Sequence, residues 1–297
     1  FFKKTRILDG GMGQELLARG METNGTLWSA NALLKEKYHK LLLDTHLDFI
    51  EAGAEFIIAN NYAVTQPILE RENLSHMLED LTLRSIEIAK EAIKESGKEV
   101  LLAASLPPLE TSYRSDLILE RTSMDHMYGE LASILENNVD IVICETMSHS
   151  QEAMSALTSI QNLKSQKWLA WTIYGNQNTL PSGETITEAF DVISDLECDA
   201  YLINCGGANL ITEGIKELKP LTNKPIGGYG NSEIIEISKK DRSDRPEVDH
   251  WSSATAINEK EYAKEALIWV QEGATIIAGC CRTRPSHIAE ISKTLKN

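Results

Sequence analysis

Short apolar runs alternate with longer amphipathic segments along almost the whole chain. Eight of the runs are continuously apolar and of strand length, which is typical of strands buried on both faces. They cover residues 5–9, 55–60, 100–106, 140–145, 168–174, 200–205, 225–230 and 275–280. Between them, apolar residues recur at spacings of three and four, which predicts helices. The predicted helices lie near residues 34–49, 73–97, 121–137, 149–165, 184–197, 208–219, 259–272 and 285–296.

The same junction precedes several of the predicted strands. A helical pattern ends, a Gly, Asn or Asp follows, and an apolar run begins, as at Gly53, Asn138, Asp199 and Gly273. Eight strands that alternate with eight helices predict a single (β/α)8 TIM barrel over residues 1–297. The main alternative is a doubly wound open sheet, but the glycines of residues 9–14 do not have the dinucleotide-binding spacing.

Two predicted connections are unusually long. One covers residues 107–121 after the third strand, and the other covers residues 231–259 after the seventh. Both follow strands, so both lie at the carboxyl-terminal face of the predicted barrel. Loops of this length commonly form lids or binding loops.

Composition and charge narrow the choice of partners. The net charge is −15, and the acidic residues are scattered along the chain. Such a surface repels phosphate backbones and anionic lipids, so we expect neither nucleic acid nor membrane as a partner. No apolar run approaches the ~20 residues that cross a bilayer, and no signal-peptide pattern is visible at the start. We therefore expect a cytoplasmic protein that binds small molecules; the sequence does not predict its oligomeric state.

Three of the five cysteines follow strand ends. Cys205 ends the sixth predicted strand, and the adjacent Cys280 and Cys281 end the eighth. Only one strand separates the sixth and eighth strands, so the three thiolates could converge at the face where barrel enzymes place catalytic residues. Three cysteines and one exchangeable ligand fit a tetrahedral catalytic zinc site, and soft sulfur ligands favour zinc over magnesium or calcium.

Cysteines also occur as small buried hydrophobes, which is the alternative interpretation of each one. We prefer it for Cys144 and Cys198. A disulfide between Cys280 and Cys281 is a further, weaker alternative. For the set of three we favour a metal site, because all lie at one face and beside glycines that admit close approach.

Four segments resemble motifs of the homocysteine S-methyltransferase family. The most specific is residues 273–288, which contains the Gly-Cys-Cys sequence. Residues 7–20 resemble the opening motif of the family, and Cys144-Glu145-Thr146 and Asn204-Cys205 match two internal motifs. The four occur in the expected order and span nearly the whole chain.

The resemblance implies a zinc-dependent enzyme that methylates the thiol of homocysteine and yields methionine. It implies that Cys205, Cys280 and Cys281 bind Zn²⁺. It also implies that Glu145 holds the substrate amino group and that Asp9 lies nearby. Asn231, in a Tyr-Gly-Asn sequence similar to a family motif, is implied as an exchangeable fourth zinc ligand.

The chemistry of the residues agrees with this function. A free thiol has a pKa near 8.5, and coordination to zinc deprotonates it, so no Ser–His–Asp set is required. Backbone N–H groups around Gly10, Gly11 and Gly206 could receive the substrate carboxylate. The alternatives are that these glycines only permit tight turns and that Glu145 only satisfies a neighbouring group.

Some loops depart from the family pattern. Residues 105–110 read Ser-Leu-Pro-Pro-Leu-Glu where a Gly-Pro-Tyr-Gly-like stretch is common, Gly230 replaces a proline, and Ala278 replaces a glycine. The chain ends just after the eighth predicted helix, without folate or cobalamin modules. We therefore expect a small sulfonium or ammonium donor, such as S-methylmethionine, S-adenosylmethionine or a betaine. The alternatives are a zinc- or thiol-binding barrel without methyl transfer and a zinc hydrolase, against which the three thiolates argue.

Overall fold

The computed structural model describes residues 4–23, 25–173, 179–235 and 254–296. Within these ranges the strands are β1 (Arg6–Ile7), β2 (Phe56–Ile58), β3 (Leu101–Leu106), β4 (Ile141–Met147), β5 (Gln166–Thr172), β6 (Ala200–Gly207), β7 (Ile226–Asn231), β8 (Glu233–Ile235), β9 (Ala254–Ala256) and β10 (Ile276–Gly279). Eight of them form a parallel sheet in the order β1-β10-β7-β6-β5-β4-β3-β2. A parallel bridge between Leu8 and Phe56 brings the two ends of this sheet together. The predicted TIM barrel is confirmed.

Helices connect the strands and cover the outside of the sheet. In the described ranges they are α1 (Met12–Ala18), α2 (Asn31–Leu34), α3 (His39–Ala52), α4 (Gln66–Arg71), α5 (Leu78–Ser96), α6 (Arg121–Leu135), α7 (Ser150–Ser159), α8 (Ile186–Ile193), α9 (Ala208–Leu218), α10 (Glu259–Gln271) and α11 (Pro285–Lys296). The short helices α1, α2 and α4 were not predicted. None of the helices described combines the length and the apolar character that crossing a bilayer requires.

The recurring junction in the sequence has a physical basis in the barrel. Gly53 and Gly273 follow α3 and α10 with φ values of 113° and 110°, a left-handed conformation that glycine adopts at little cost. Acidic residues just before β2, β4 and β6 then accept hydrogen bonds from the backbone of the preceding strand. Glu55 accepts from Ile7 N–H, Asp140 from Leu102 N–H and Asp199 from Lys167 N–H.

Apolar side chains fill the inside of the barrel. The rings of Phe56 and Trp168 meet edge to face across the interior, with centroids 5.4 Å apart. Small residues such as Ala103 and Ala200 make room for them. A second, larger apolar layer lies between the sheet and the helices.

Both long loops follow the strands predicted for them. Residues 107–120 connect β3 to α6, and β8 and β9 form an antiparallel hairpin within the connection from β7 to α10. Residues 236–253 of that second connection, and residue 174 of the predicted fifth strand, lie outside the described residues.

One buried polar side chain in the helical layer has no evident structural role. His46 of α3 is fully buried, and neither of its ring nitrogens has a hydrogen-bond partner among the residues that the structure describes. Burial lowers the pKa of His46 to about 3. At pH values between about 3 and 6.5, the His46 ring is therefore neutral in the folded protein and protonated in the unfolded chain.

The lowered pKa of His46 predicts a pH-dependent stability. Because the folded pKa lies below the unfolded one, the contribution is fully present above pH ~6.5 and is lost as the pH falls toward 3. When the pH falls from 7 to 5, protonation of this histidine in the unfolded chain lowers the free energy of unfolding by about 2 kcal/mol. We expect His46→Leu to remove this part of the pH dependence, measured by denaturant unfolding of both proteins at the two pH values. An equal loss of stability in the variant would contradict the prediction.

Candidate metal and substrate site

The three predicted cysteines converge at the carboxyl-terminal end of the barrel. Their sulfur atoms all lie within 4.8 Å of one another, and the sulfurs of Cys205 and Cys281 are 3.8 Å apart. Cys205 lies in β6, and Cys280 and Cys281 directly follow β10. Only β7 separates these strands in the sheet, which is why residues 76 positions apart in the chain meet. All five cysteines are free thiols, and Cys144 and Cys198 are buried, as the core interpretation predicted.

The three sulfurs of the cluster differ in how readily they ionise, and Cys281 ionises most readily. Interactions with Cys205 and Cys281, together with burial, raise the pKa of Cys280 well above its usual value. Hydrogen bonds from Cys205 and Cys280 lower the pKa of Cys281 well below its usual value. Three thiols this close cannot all ionise in a buried site unless a cation compensates their charges. The donor set therefore fits a soft divalent metal ion.

Close backbone approach holds the double-cysteine turn against the start of the barrel. The Gly11 N–H donates to both the hydroxyl and the carbonyl oxygen of Thr283, and the Thr283 hydroxyl donates to the Cys280 carbonyl. A Cβ atom on Gly11 would lie 2.4 Å from that carbonyl oxygen, so only glycine fits. The Cys281 N–H donates to the side chain of Asn231 at 3.1 Å.

Glu145 is a buried carboxylate that lines the same cavity as the three cysteines. It lies in β4 and accepts hydrogen bonds from the hydroxyls of Ser105 and Tyr229, the latter at 3.0 Å. Burial raises the pKa of Glu145, although the hydrogen bonds from Ser105 and Tyr229 act in the opposite direction. Asp9 accepts a hydrogen bond from Ile58 N–H at 2.9 Å, and burial, with the neighbouring Glu145, raises its pKa as well. A positively charged ligand would compensate the burial of these two carboxylates.

The loop after β3 covers the cysteines. The Tyr113 hydroxyl lies 2.7 Å from the Cys205 sulfur and also donates to the Cys205 carbonyl at 3.3 Å. The loop is anchored at its base, where Thr65 donates to the Leu109 carbonyl and Tyr128 donates to the Pro107 carbonyl. Tyr113 therefore shields the Cys205 sulfur, whereas Cys280 and Cys281 stay partly exposed.

Aromatic rings form the wall that faces these groups. Trp28 and Tyr62 contact edge to face with centroids 6.4 Å apart, and Tyr113 lines the same cavity. The Trp28 ring packs on Gly13 of α1, where a Cβ atom would lie 2.5 Å from it. The cavity has a volume of about 310 Å³, at the small end of the range for small-molecule sites.

Most of the residues predicted from the sequence line this one cavity. They are Asp9, Gly10, Gly11, Glu145, Cys205, Cys280 and Cys281. Gly206 and Asn231 are placed beside it, next to Cys205 and Cys281. Four further residues line the cavity and were not among the predicted site residues: Trp28, Ser105, Tyr113 and Tyr229. Ser105 and Tyr229 could have been found, because each lies near the end of a predicted strand; Trp28 and Tyr113 lie in connections that carry no periodic signal.

Comparison with known proteins agrees with the geometry. The homocysteine S-methyltransferase family profile matches residues 6–295. Homocysteine S-methyltransferase 1 of Brassica oleracea var. italica is 28% identical over 316 residues, which cover 98% of this chain and 93% of the relative. Homocysteine S-methyltransferase 2 of Zea mays is 30% identical over 319 residues, which cover 97% of this chain and 89% of the relative.

A solved structure supports the fold independently. The homocysteine methyltransferase MmuM from Escherichia coli, in its metallated form, superposes with a TM-score of 0.79 at 24% identity and covers 98% of this chain and 96% of its own. The family match extends over nearly the whole chain and confirms the resemblance seen in the motifs. This chain belongs to the homocysteine S-methyltransferase family.

Proposed function

We propose that this protein transfers a methyl group from a small sulfonium or ammonium donor to the thiol of homocysteine, giving methionine, with zinc held by Cys205, Cys280 and Cys281. The observation that carries the proposal is the cluster of three sulfurs within 4.8 Å of one another. It shares a small cavity with the buried carboxylate of Glu145. This combination suits a ligand with a thiol at one end and an ammonium group at the other.

The three cysteines are the proposed protein ligands of the metal. Zinc bound there would supply a deprotonated substrate thiol at neutral pH. Asn231 is the proposed exchangeable fourth ligand. Its amide oxygen accepts from Cys281 N–H and its amide nitrogen donates to Glu233 at 3.2 Å, so the side chain is oriented beside the cluster. An amide oxygen has two lone pairs, and one stays available for a metal.

Glu145 is the proposed partner of the substrate ammonium group, with Asp9 adding negative charge nearby. An ammonium group would compensate the burial that raises the pKa of both carboxylates. The Gly11 N–H already donates to Thr283. Gly10 and Gly206 are therefore the better candidates to receive the substrate carboxylate.

The aromatic wall supports a positively charged methyl donor. A cation over the faces of Trp28, Tyr62 or Tyr113 would be attracted by their ring quadrupoles. In the transfer, the homocysteine sulfur forms a bond to the methyl carbon while the bond from that carbon to the donor sulfur or nitrogen breaks. The donor leaves as a neutral thioether or amine, so no protein group has to protonate it.

The proposed activity is tested with a panel of donors. We expect purified, zinc-loaded protein to form methionine from homocysteine with at least one of S-methylmethionine, S-adenosylmethionine and betaine, measured by chromatography. Cysteine-cluster variants are the negative control. Homocysteine binding without product from any donor would favour a thiol-binding protein that does not turn over.

Loss of one cysteine of the cluster should release the metal. We expect Cys280→Ser to lower the zinc content by well over half, because a hydroxyl is a much poorer zinc ligand than a thiolate. The measurement is metal analysis after dialysis against a mild chelator. The matched control is Cys198→Ser, whose buried sulfur lies 3.3 and 3.1 Å from two backbone carbonyls that a hydroxyl could also use. Full zinc occupancy in the Cys280 variant would refute the ligand assignment.

The role of Glu145 is tested in two ways: its own charge is removed by substitution, and the ammonium charge is removed from the ligand. We expect Glu145→Gln to weaken homocysteine binding by tenfold or more with zinc still bound, since a hydrogen bond between charged groups contributes about 1.5–3 kcal/mol. The control ligand is 4-mercaptobutyrate, which keeps the thiol and carboxylate but lacks the amine. Its affinity should barely change, and an equal loss for both ligands would argue against an ammonium contact.

A further inference from the structure

We propose that Asn204 is a positioning residue that fixes the span between the metal-binding cysteines and Glu145, and thereby selects homocysteine over the shorter amino acid cysteine. The inference depends on the proposed function, because it assumes that one ligand bridges these two groups. Neither the family motifs nor the cavity lining assigns a role to the Asn204 side chain.

The Asn204 side chain joins two parts of the site. It lies fully buried in β6, its oxygen accepts from Thr146 N–H at 3.0 Å, and its nitrogen donates to the Thr146 hydroxyl at 2.8 Å. Asn204 directly precedes Cys205, and Thr146 directly follows Glu145. The two hydrogen bonds therefore join the residue next to the metal-binding sulfur to the residue next to the carboxylate.

Both linked segments have strained backbones. Thr146 and Cys205 have φ values of 60° and 55°, which non-glycine residues rarely adopt and which are least favourable for a β-branched residue. The strand register shifts at both places, between Cys144 and Met147 in β4 and between Asn204 and Gly207 in β6. Such conformations persist only when surrounding contacts hold them.

The link crosses β5, whose residues Trp171 and Thr172 pair with Met147 of β4 and with Asn204 of β6. β5 lies between β4 and β6 in the sheet, so the backbone ladder does not hold the two irregular segments to each other directly. Asn204 supplies that direct connection. Without it, each segment could relax separately, and the distance from Glu145 to the Cys205 sulfur would no longer be fixed.

A fixed span discriminates ligands by length. Homocysteine exceeds cysteine by one methylene group, which changes the reach from ammonium to sulfur by up to about 1.5 Å. One methylene is commonly worth a factor of about 10–200 in selectivity, provided that the site is held to within about 0.5 Å. If the segments that carry Glu145 and Cys205 could move independently, the site would bind homocysteine and cysteine with more similar affinities.

The test compares substitutions that break hydrogen bonds of the link with substitutions that keep them, and none of them removes a proposed ligand of the metal or substrate. Thr146→Val removes the hydroxyl and keeps the branched shape, and Thr146→Ser keeps the hydroxyl. Because Thr146 also interacts with Tyr62, Asn204→Ser is measured beside them, since it leaves Thr146 intact. The matched control is Thr172→Val: Thr172 is the register partner of Asn204 in β5, and its buried hydroxyl has no partner within the described residues.

The measurement is the affinity of each zinc-loaded protein for L-homocysteine and for L-cysteine by calorimetry, with zinc content and melting temperature recorded. We expect Thr146→Val and Asn204→Ser to lower the ratio of homocysteine to cysteine affinity at least fivefold and to leave the KM of the methyl donor unchanged. Thr146→Ser and Thr172→Val should keep the wild-type ratio.

Two results would overturn the proposal. One is a ratio of homocysteine to cysteine affinity that stays unchanged in Thr146→Val or Asn204→Ser, measured on protein that is folded and zinc-loaded. The other is an equal change in Thr172→Val. If the native protein bound neither thiol, the proposed function itself would fail, whereas a native protein that makes methionine while the ratio stays constant would refute only the role of Asn204.

Discussion

Three sulfur atoms from two strand ends, all within 4.8 Å of one another, are the constraint on which the rest of this structure depends. Three thiolates this close would repel one another in a buried site. Hydrogen bonds among the three sulfurs raise the pKa of Cys280 and lower that of Cys281, so the negative charge gathers on Cys281. A soft divalent cation removes the conflict and makes use of all three sulfurs. In the proposed function, the buried carboxylates and the aromatic wall act on a thiol ligand that the metal holds at this point.

The barrel supplies this closeness at some cost to its own backbone. Adjacent parallel strands bring β6 and β10 to one edge, and Gly11 lets the first turn approach Cys280 without a clash. Thr146 and Cys205, in contrast, adopt left-handed conformations that cost roughly 1–3 kcal/mol each. The packed apolar interior below the site provides the rigid support that lets such strain persist. Strain and function therefore coincide at the carboxyl-terminal end of the barrel.

The parts predicted from the sequence are those with a regular signal. Continuous apolar runs and repeated junctions at residues such as Gly53 predicted the barrel, and the position of Cys205 at a strand end predicted its meeting with the double cysteine. Trp28 and Tyr113 escaped prediction because connections have no periodicity and their positions depend on contacts far along the chain. The link from Asn204 to Thr146 escaped for a different reason: it depends on register shifts, which no residue pattern in either strand announces.

X-ray absorption at the zinc edge tests the central claim most directly, because it counts the sulfur atoms around the metal. For the purified protein we predict three sulfur neighbours and one lighter neighbour at zinc, with Zn–S near ~2.3 Å, and four sulfur neighbours after homocysteine is added. Fewer than three sulfur neighbours in the free protein, or a sulfur count that does not rise with homocysteine, would contradict the account.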